Sequence, residues 1–327
     1  MIERRTIASD CAPLFPAQGH PEIRRFPWPL RKSCGDRYLG VDGVQGLELR
    51  LRLGLGSVPV RRGSQWMRRQ GSYRLAQFFL PTLKAPPPGL EFLLETLRGL
   101  GDDAKLRVIF EGRVRRGSVA YYRERRHAGE VHLLDTLSDS KGGRTPDGLL
   151  DQSTLYHEVG HHLMRRLYGG KFPDYRGHPG HDFRVRSYAE ARTHPGAAWA
   201  EGFAGAIANL DFRSRKGIHG PQDLAEDWPL RDRDTRLSNE FVIAAILTDY
   251  VKSELPQADG SLRIGLDEAA FARLRKIFAV MRASGLHQDF AAFLGDFQRR
   301  YPGEGPRLLP ILRRYGMADF ASRQAGG

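Results

Sequence analysis

The chain of 327 residues is long enough to bury at least one full hydrophobic core, and its composition is that of a globular protein. Hydrophobic residues make up 40% of the chain, and no apolar run approaches the roughly 20 residues that a transmembrane helix needs. The formal net charge is +13, but the excess consists of dispersed arginine pairs without a nucleic-acid-binding motif. Composition therefore predicts no membrane span and favours a basic surface over specific nucleic-acid binding.

The N-terminus and the cysteines bear on the cellular compartment. The first residues lack the apolar stretch of about 7 to 15 residues that an export signal contains. Cys11 and Cys34 are the only cysteines, and they imply no disulfide framework. We therefore expect a cytoplasmic protein, with delivery by a dedicated secretion system as the alternative.

The first part of the chain, residues 1–87, is rich in Arg, Pro and Gly. The alternation of leucine with polar residues over 47–53 predicts a strand, and the run from Pro86 to Gly89 predicts a boundary. The sequence thus predicts two parts, an irregular or β N-terminal extension over 1–87 and a catalytic domain over 88–327. The extension is a candidate recruiting, inhibitory or secretion element, or an irregular addition to the core.

After the boundary, short strands precede a mainly helical part, which indicates an α+β fold. A helix is predicted over 90–97, strands over 105–110, 118–123 and 130–134, and a loop over 138–146. A long helix should begin at Asp147 or Asp151 and end near Tyr168, because Gly169 and Gly170 follow. Further helices are predicted over 197–210, 239–252, 267–281, 289–300 and 307–314.

The long helix contains the pattern H-E-x-x-H at residues 157–161. Residues four apart lie on one face of a helix, so His157 and His161 can bind one metal ion. Glu158 is rotated by about 100° from His157, which keeps it off the metal and within reach of a metal-bound water. The motif predicts a zinc site with Glu158 as the general base.

A catalytic zinc ion usually has three protein ligands, and Glu201 on the next predicted helix is the candidate for the third. Glu201, Ala204, Gly205 and Ala208 share one helical face of otherwise very small residues. Such a face lets two helices approach closely, and Gly160 on the first helix fits a position that another backbone passes.

These residues resemble the gluzincins, a group of zincin-like metallopeptidases in which two histidines of H-E-x-x-H and a downstream glutamate hold zinc. The segment 199–204 is similar to their W-x-E-G-x-A pattern, and the segment 238–247 looks like a later helix of such bacterial domains. The resemblance covers roughly residues 88–250. It implies one zinc ion, a zincin-like core of backing helix, small sheet and active-site helix, and hydrolysis of peptide bonds in a protein or peptide substrate, an endopeptidase being favoured.

The chain departs from part of this family at Gly205, where some gluzincins carry an aspartate that orients a zinc histidine. Another acceptor, such as Glu240 or a backbone carbonyl, must then orient the ligands. By analogy with the superfamily, a further donor should stabilise the oxyanion. Its candidates are Tyr188, His178, His181 and Tyr250.

Three alternatives remain open from the sequence. His178 or His181 could replace Glu201 as a ligand. His162 and His194 are two further histidines to consider, and for His162 a structural role is expected. The segment 130–134 is either the edge strand along which an extended peptide binds or an ordinary strand with His132 on its surface. The protein itself could be a degenerate zincin-like binding module or a secreted effector or toxin protease, and no oligomeric state is predicted.

Overall fold

The computed structural model describes residues 47–53, 56–59, 76, 79, 82–83, 85–101, 106–111, 120–125, 128–134, 148–176, 193–211, 236–256 and 262–317. Contacts divide the chain into two compact units. The sheet unit consists of Met1–Ala85 and Lys105–Thr145, and the helical unit consists of Pro86–Ala104 and Pro146–Gly327. One limit between the units lies at Pro86, and Lys105–Thr145 groups with the N-terminal part of the chain.

The sheet unit contains five strands in the order β2-β1-β3-β5-β4. The strands are β1 (Leu47–Leu53), β2 (Gly56–Pro59), β3 (Leu106–Glu111), β4 (Ala120–Arg125) and β5 (Ala128–Leu134). β1 pairs in parallel with β3, and β3 pairs in parallel with β5. The four strands predicted from alternation are confirmed, whereas β2 was not predicted.

The hypothesis that 130–134 forms a substrate-binding edge strand is wrong. β5 lies between β3 and β4 and forms ladders with both, so its backbone groups are already paired. His132 is also not a surface residue, since it is 2% exposed. Its Nε2 lies 3.3 Å from the Oε2 of Glu130, two residues earlier on the same face of the strand.

The helical unit contains seven α-helices among its described residues. They are α1 (Pro88–Gly99), α2 (Gly148–Leu167), α3 (Pro195–Ala208), α4 (Glu240–Val251), α5 (Glu268–Ala283), α6 (Phe290–Arg300) and α7 (Gly305–Arg314), with a 3-10 turn at Pro302–Glu304. A two-stranded antiparallel ribbon of β6 (Ser253–Pro256) and β7 (Leu262–Gly265) separates α4 from α5. Helices and sheet together are an α+β structure, as predicted.

Local chemistry explains where these helices begin and end. Side chains of Asn239, Asp267 and Asp289 accept hydrogen bonds from the first turns of α4, α5 and α6. α2 ends where Gly169 and Gly170 adopt φ values of +63° and +89°, a conformation that side chains disfavour. Asp151 lies inside α2 and does not cap it; Asp147 lies outside the described residues.

α3 is the centre of the helical unit, because it packs against α2 on one side and α4 on another. A Cβ added at Gly160 of α2 would lie 2.9 Å from the Cα of Ala204. A Cβ at Gly202 would lie 2.6 Å from the Cβ of Ile243 on α4. The predicted close approach of two helices at Gly160 is therefore confirmed.

A carboxylate outside the helices ties the first of them to this centre. Asp211 accepts hydrogen bonds from the backbone N–H groups of Gly89 and Leu90 at 2.8 and 2.9 Å. The hydroxyl of Tyr156, which precedes His157 on α2, donates to the same carboxylate at 2.7 Å. Asp211 thus caps α1 and connects it to α2.

Candidate metal centre

Two adjacent helices bring His157, His161 and Glu201 together. The Nε2 atoms of the two histidines on α2 lie 3.1 Å apart, and their rings are nearly perpendicular at 87°. The Oε2 of Glu201 on α3 lies 3.0 Å from the Nε2 of His157 and 3.1 Å from that of His161. Three potential ligand atoms therefore form a nearly equilateral triangle.

The donor set and the size of this triangle fit a zinc ion. Zinc binds imidazole nitrogen and carboxylate oxygen at about 2.0 to 2.2 Å, and a triangle with sides of 3.0–3.1 Å has a point at about this distance from all three corners. Three lone-pair-bearing atoms so close together also need a proton or a cation among them.

The electrostatics of Glu201 agree with a buried anion held by two histidines. Its side chain is 9% exposed. Burial alone would raise the pKa of the Glu201 carboxyl, but the charge of His161 and hydrogen bonds from His157 and His161 hold that pKa well below its usual range. Glu201 therefore stays ionised and available as a ligand at neutral pH.

Glu158 follows His157 on α2 and is buried at 6% exposure. It does not belong to the triangle of ligand atoms, as its helical position predicts. The negative charges of Glu201 and Glu158 both contribute to the raised pKa of the Tyr175 phenol. An ionisable carboxyl thus lies beside the three-residue cluster without taking part in it.

The loop after α2 adds two aromatic residues to this site. The Phe172 ring lies 5.9 Å from the His161 ring, and the Tyr175 ring lies 6.1 Å from the Phe172 ring. Burial, followed by the charges of Glu201 and Glu158, raises the pKa of Tyr175. Sequence reasoning missed this tyrosine, although it follows the long helix by only a few residues.

The other residues predicted for the site have different positions. Tyr250 lies at the end of α4, where its ring lies 5.3 Å from the ring of Phe297 on α6, and where burial, followed by Glu304, raises its pKa. Tyr188, His178 and His181 lie outside the described residues. His194 accepts a hydrogen bond from the N–H of Gly196 through Nδ1 and so caps α3. His162 is buried at 2% exposure.

Gly205, where some gluzincins carry an aspartate, lies close to α4. A Cβ at this position would lie 3.1 Å from the Cβ of Ala244 on α4, which is tighter than an ordinary contact. Among the described residues, the Nδ1 of His161 is buried without a hydrogen-bond partner. Glu240 is buried at the start of α4, and its carbonyl oxygen lies 2.9 Å from where a Cβ on Gly202 would be.

One known protein family is similar to part of the chain. Residues 113–225 match the family described as the mycolysin C-terminal domain. The matched segment includes both helices of the site, with His157, Glu158, His161 and Glu201. It spans a minority of the chain and relates that segment to a metalloprotease family. No curated protein and no solved structure matches the chain.

Proposed function

We propose that the protein is a zinc-dependent peptidase of the gluzincin type, with His157, His161 and Glu201 as metal ligands and Glu158 as general base. The convergence of three ligand atoms at 3.0–3.1 Å carries this proposal, together with a second glutamate, Glu158, that lies next to His157 in the chain and is not part of the triangle. The similarity to the mycolysin C-terminal domain over the same residues supports it. The helical unit would then be the catalytic part of a zincin-like enzyme.

The chemistry that zinc supplies when bound here is activation of a water molecule and polarisation of the substrate carbonyl. The carboxylate of Glu158 takes the proton of the attacking water as the water oxygen bonds to the carbonyl carbon. Glu158 then gives this proton to the leaving amine nitrogen when the C–N bond breaks.

The hydroxyl of Tyr175 is suited to donate a hydrogen bond to the carbonyl oxygen as negative charge develops on it. Its raised pKa keeps the phenol protonated at neutral pH, where Glu201 is ionised. Among the described tyrosines, it is the one whose pKa both site carboxylates affect. Tyr175 therefore replaces Tyr250 as the proposed oxyanion donor.

Metal content and peptide cleavage test the proposal together. We expect purified wild type to contain about one zinc ion per chain and to cleave members of a peptide library. His157→Ala and Glu201→Ala should lose the metal, because two ligands hold zinc far less tightly than three. Glu158→Gln should retain the metal and lose cleavage, because an amide cannot accept the proton of the attacking water.

Each departure from this pattern has a defined meaning. Zinc retained by Glu201→Ala would move the third ligand elsewhere, with His178 and His181 as the next candidates. Zinc without any cleavage by wild type would contradict the peptidase assignment and favour a binding module.

A further inference from the structure

A chain of buried hydrogen bonds lies beside the metal centre, between α2, α3 and α6. The indole N–H of Trp199 donates to the hydroxyl oxygen of Tyr168 at 3.2 Å. The Oη of Tyr168 lies 2.9 Å from the Nδ1 of His287, and the Nε2 of His287 lies 2.9 Å from the Oδ2 of Asp296. Arg299 also binds Asp296. We call Trp199, Tyr168, His287 and Asp296 the His287 clasp.

A carboxylate can only accept, so His287 donates from Nε2 to Asp296. In neutral His287 the Nδ1 atom is an acceptor, and the hydroxyl of Tyr168 donates to it while its oxygen accepts from the indole N–H of Trp199. All donors and acceptors of the clasp are then matched in one direction. His287 is 4% exposed; burial lowers its pKa, although Asp289 raises it, and Arg299 lowers it further. Burial thus favours the neutral form, in which every donor of the clasp meets an acceptor.

Both ends of the clasp are close to metal ligands along the chain. Tyr168 lies seven residues after His161, which places it on the same face of the helix about two turns further on. Trp199 lies two residues before Glu201 on α3. The contact of Tyr168 with Trp199 and the contact of Gly160 with Ala204 therefore lie on either side of Glu201 along α3.

The turn that carries His287 also contacts the loop after α2, in which Phe172 lies against His161. The backbone N–H of Asp174 donates to the side-chain oxygen of Gln288 at 3.0 Å. The carbonyl oxygen of Gln288 packs against Gly196 at the start of α3, 3.1 Å from where a Cβ would be. Trp199 stacks on Phe293 of α6 at 4.7 Å. One turn thus contacts the α2 end, the α3 start and the loop with Phe172.

We propose that the His287 clasp is a positioning element that holds α2 and α3 at the separation at which His157, His161 and Glu201 meet. None of its residues touches the metal; they act through the helices that carry the ligands. The inference rests on the proposed zinc site. A metal site whose ligands are already in place binds more tightly than one whose ligands must be brought together. Removal of a group that hydrogen-bonds a ligand directly costs 10- to 100-fold in affinity, and we expect the lower end of this range for the clasp, which acts through the helices.

Zinc affinity of full-length variants, measured by competition with a chromophoric chelator at pH 7.5, tests this role. Tyr168→Phe removes one hydroxyl without changing the ring, and we expect zinc affinity to fall about tenfold. Tyr315→Phe is the matched control. The hydroxyl of buried Tyr315 donates to Asp249 at a distance of 3.1 Å, and neither residue belongs to the ligand cluster. Both variants should lose similar thermal stability, but only Tyr168→Phe should lose zinc affinity.

Three further variants change Asp296, at the other end of the clasp, and Gln288, next to His287. Asp296→Asn keeps an oxygen that accepts from His287 and should retain zinc affinity, whereas Asp296→Ala should lower it. Gln288→Ala changes an exposed residue and should fold, so it keeps the test possible even if Tyr168→Phe does not fold. Its zinc affinity should fall about threefold, which is below the range for direct partners of a ligand.

The outcomes separate this inference from the proposed function. Absence of zinc binding in wild type would overturn both. Normal zinc binding in wild type with unchanged affinity in Tyr168→Phe and Gln288→Ala would overturn the clasp alone, as would an equal loss in Tyr168→Phe and Tyr315→Phe.

Discussion

The phenol of Tyr175 is held where two carboxylates keep it protonated. Glu158 and Glu201 both raise its pKa in addition to burial, and the ring is linked to His161 through Phe172. A tyrosine in such a setting serves better as a hydrogen-bond donor than as a base or a metal ligand, because its proton is hard to remove. This property is what an oxyanion donor requires.

Tyr175→Phe should therefore lower kcat by about 10²-fold while zinc content and KM stay near wild-type values. The hydroxyl is needed mainly when charge develops on the carbonyl oxygen, so its loss affects the transition state more than substrate binding. Steady-state kinetics on a fluorogenic peptide measure the change. Tyr301→Phe, at another half-buried tyrosine, is the control and should behave as wild type. A KM increase with unchanged kcat would instead assign Tyr175 to substrate binding.

Individual residues could be predicted from the sequence where spacing on one helix decides their direction. The turn of a helix places His157 and His161 on one face, and Glu201 on a face of small residues follows the same rule. Tyr175 lies in a short irregular loop without periodicity, so its position depends on how the chain reverses at Gly169 and Gly170. His132 was predicted on the surface because strand alternation does not say which faces become covered.

At the scale of elements, the metal centre depends on how closely α2 and α3 approach each other. The contact occurs at Gly160, where a methyl group would meet the backbone of Ala204 rather than a movable side chain. The same helix α3 approaches α4 through Gly202. Glycines therefore set the spacing on two sides of the helix that carries Glu201.

Gly160→Ala should destabilise the protein by about 1 to 3 kcal/mol even though alanine is the better helix former. The added methyl forces α2 and α3 apart, so zinc affinity should fall as well. Gly99→Ala is the matched control, because a Cβ there meets nothing within 4 Å, and it should be neutral or stabilising by up to about 1 kcal/mol. Urea unfolding and zinc competition measure both. Equal stability of the two variants would contradict the close packing.

The elements predicted with correct type are those with a long periodic pattern or a capping residue. Asn239, Asp267 and Asp289 marked the starts of three helices, and paired glycines marked the end of α2. β2, β6 and β7 were missed because four residues are too few to establish alternation. The interior position of β5 could not be predicted, because its pairing with β3 joins strands through hydrogen bonds that no local pattern encodes.

At the scale of the whole molecule, the described part contains no helix with the length and apolar character needed to cross a membrane. The parallel pairing of β1 with β3 means that a strand from the first part of the chain shares a sheet with strands after α1. The sequence pattern assigned β1 and β3 to different parts of the chain, because the predicted boundary at Pro86 to Gly89 lies between them. Long-range pairing therefore decides the extent of the sheet unit.

The end of α4 combines several positive charges with the C-terminus of a helix. Arg307 donates to the carbonyl oxygens of Tyr250 and Asp249 at 2.8 and 3.3 Å and also binds that of Lys252. Arg273 donates to the carbonyl oxygen of Val251 at 2.9 Å. Cations near a helix C-terminus are favourable, but Lys252 is also 6% exposed. Burial lowers the pKa of Lys252 to about 8, although the negative charges of Asp211 and Asp249 act to raise it.

This lysine should make stability rise with pH in a defined window. Below pH 8 both folded and unfolded chains hold the proton, so the cost of burying the charge is constant. Between the folded pKa of about 8 and the ordinary value of 10.5, the unfolded chain binds more protons, and the free energy of unfolding increases with pH. From about pH 7.5 to 9.5 the expected gain is about 2 kcal/mol.

Lys252→Met should abolish this rise and be more stable than wild type near pH 7, because a methionine fills similar space without a charge. Asp211 and Asp249 keep other partners in the variant, namely Tyr156 and the α1 backbone for Asp211, and Arg314 and Tyr315 for Asp249. Urea unfolding of metal-free protein at several pH values up to about 9.5 measures the difference between the two proteins. The upper limit matters because tyrosines with raised pKa, such as Tyr156 and Tyr315, reduce stability as unfolded tyrosines ionise near pH 10. Parallel pH profiles for wild type and Lys252→Met would show that Lys252 keeps an ordinary pKa in the folded protein.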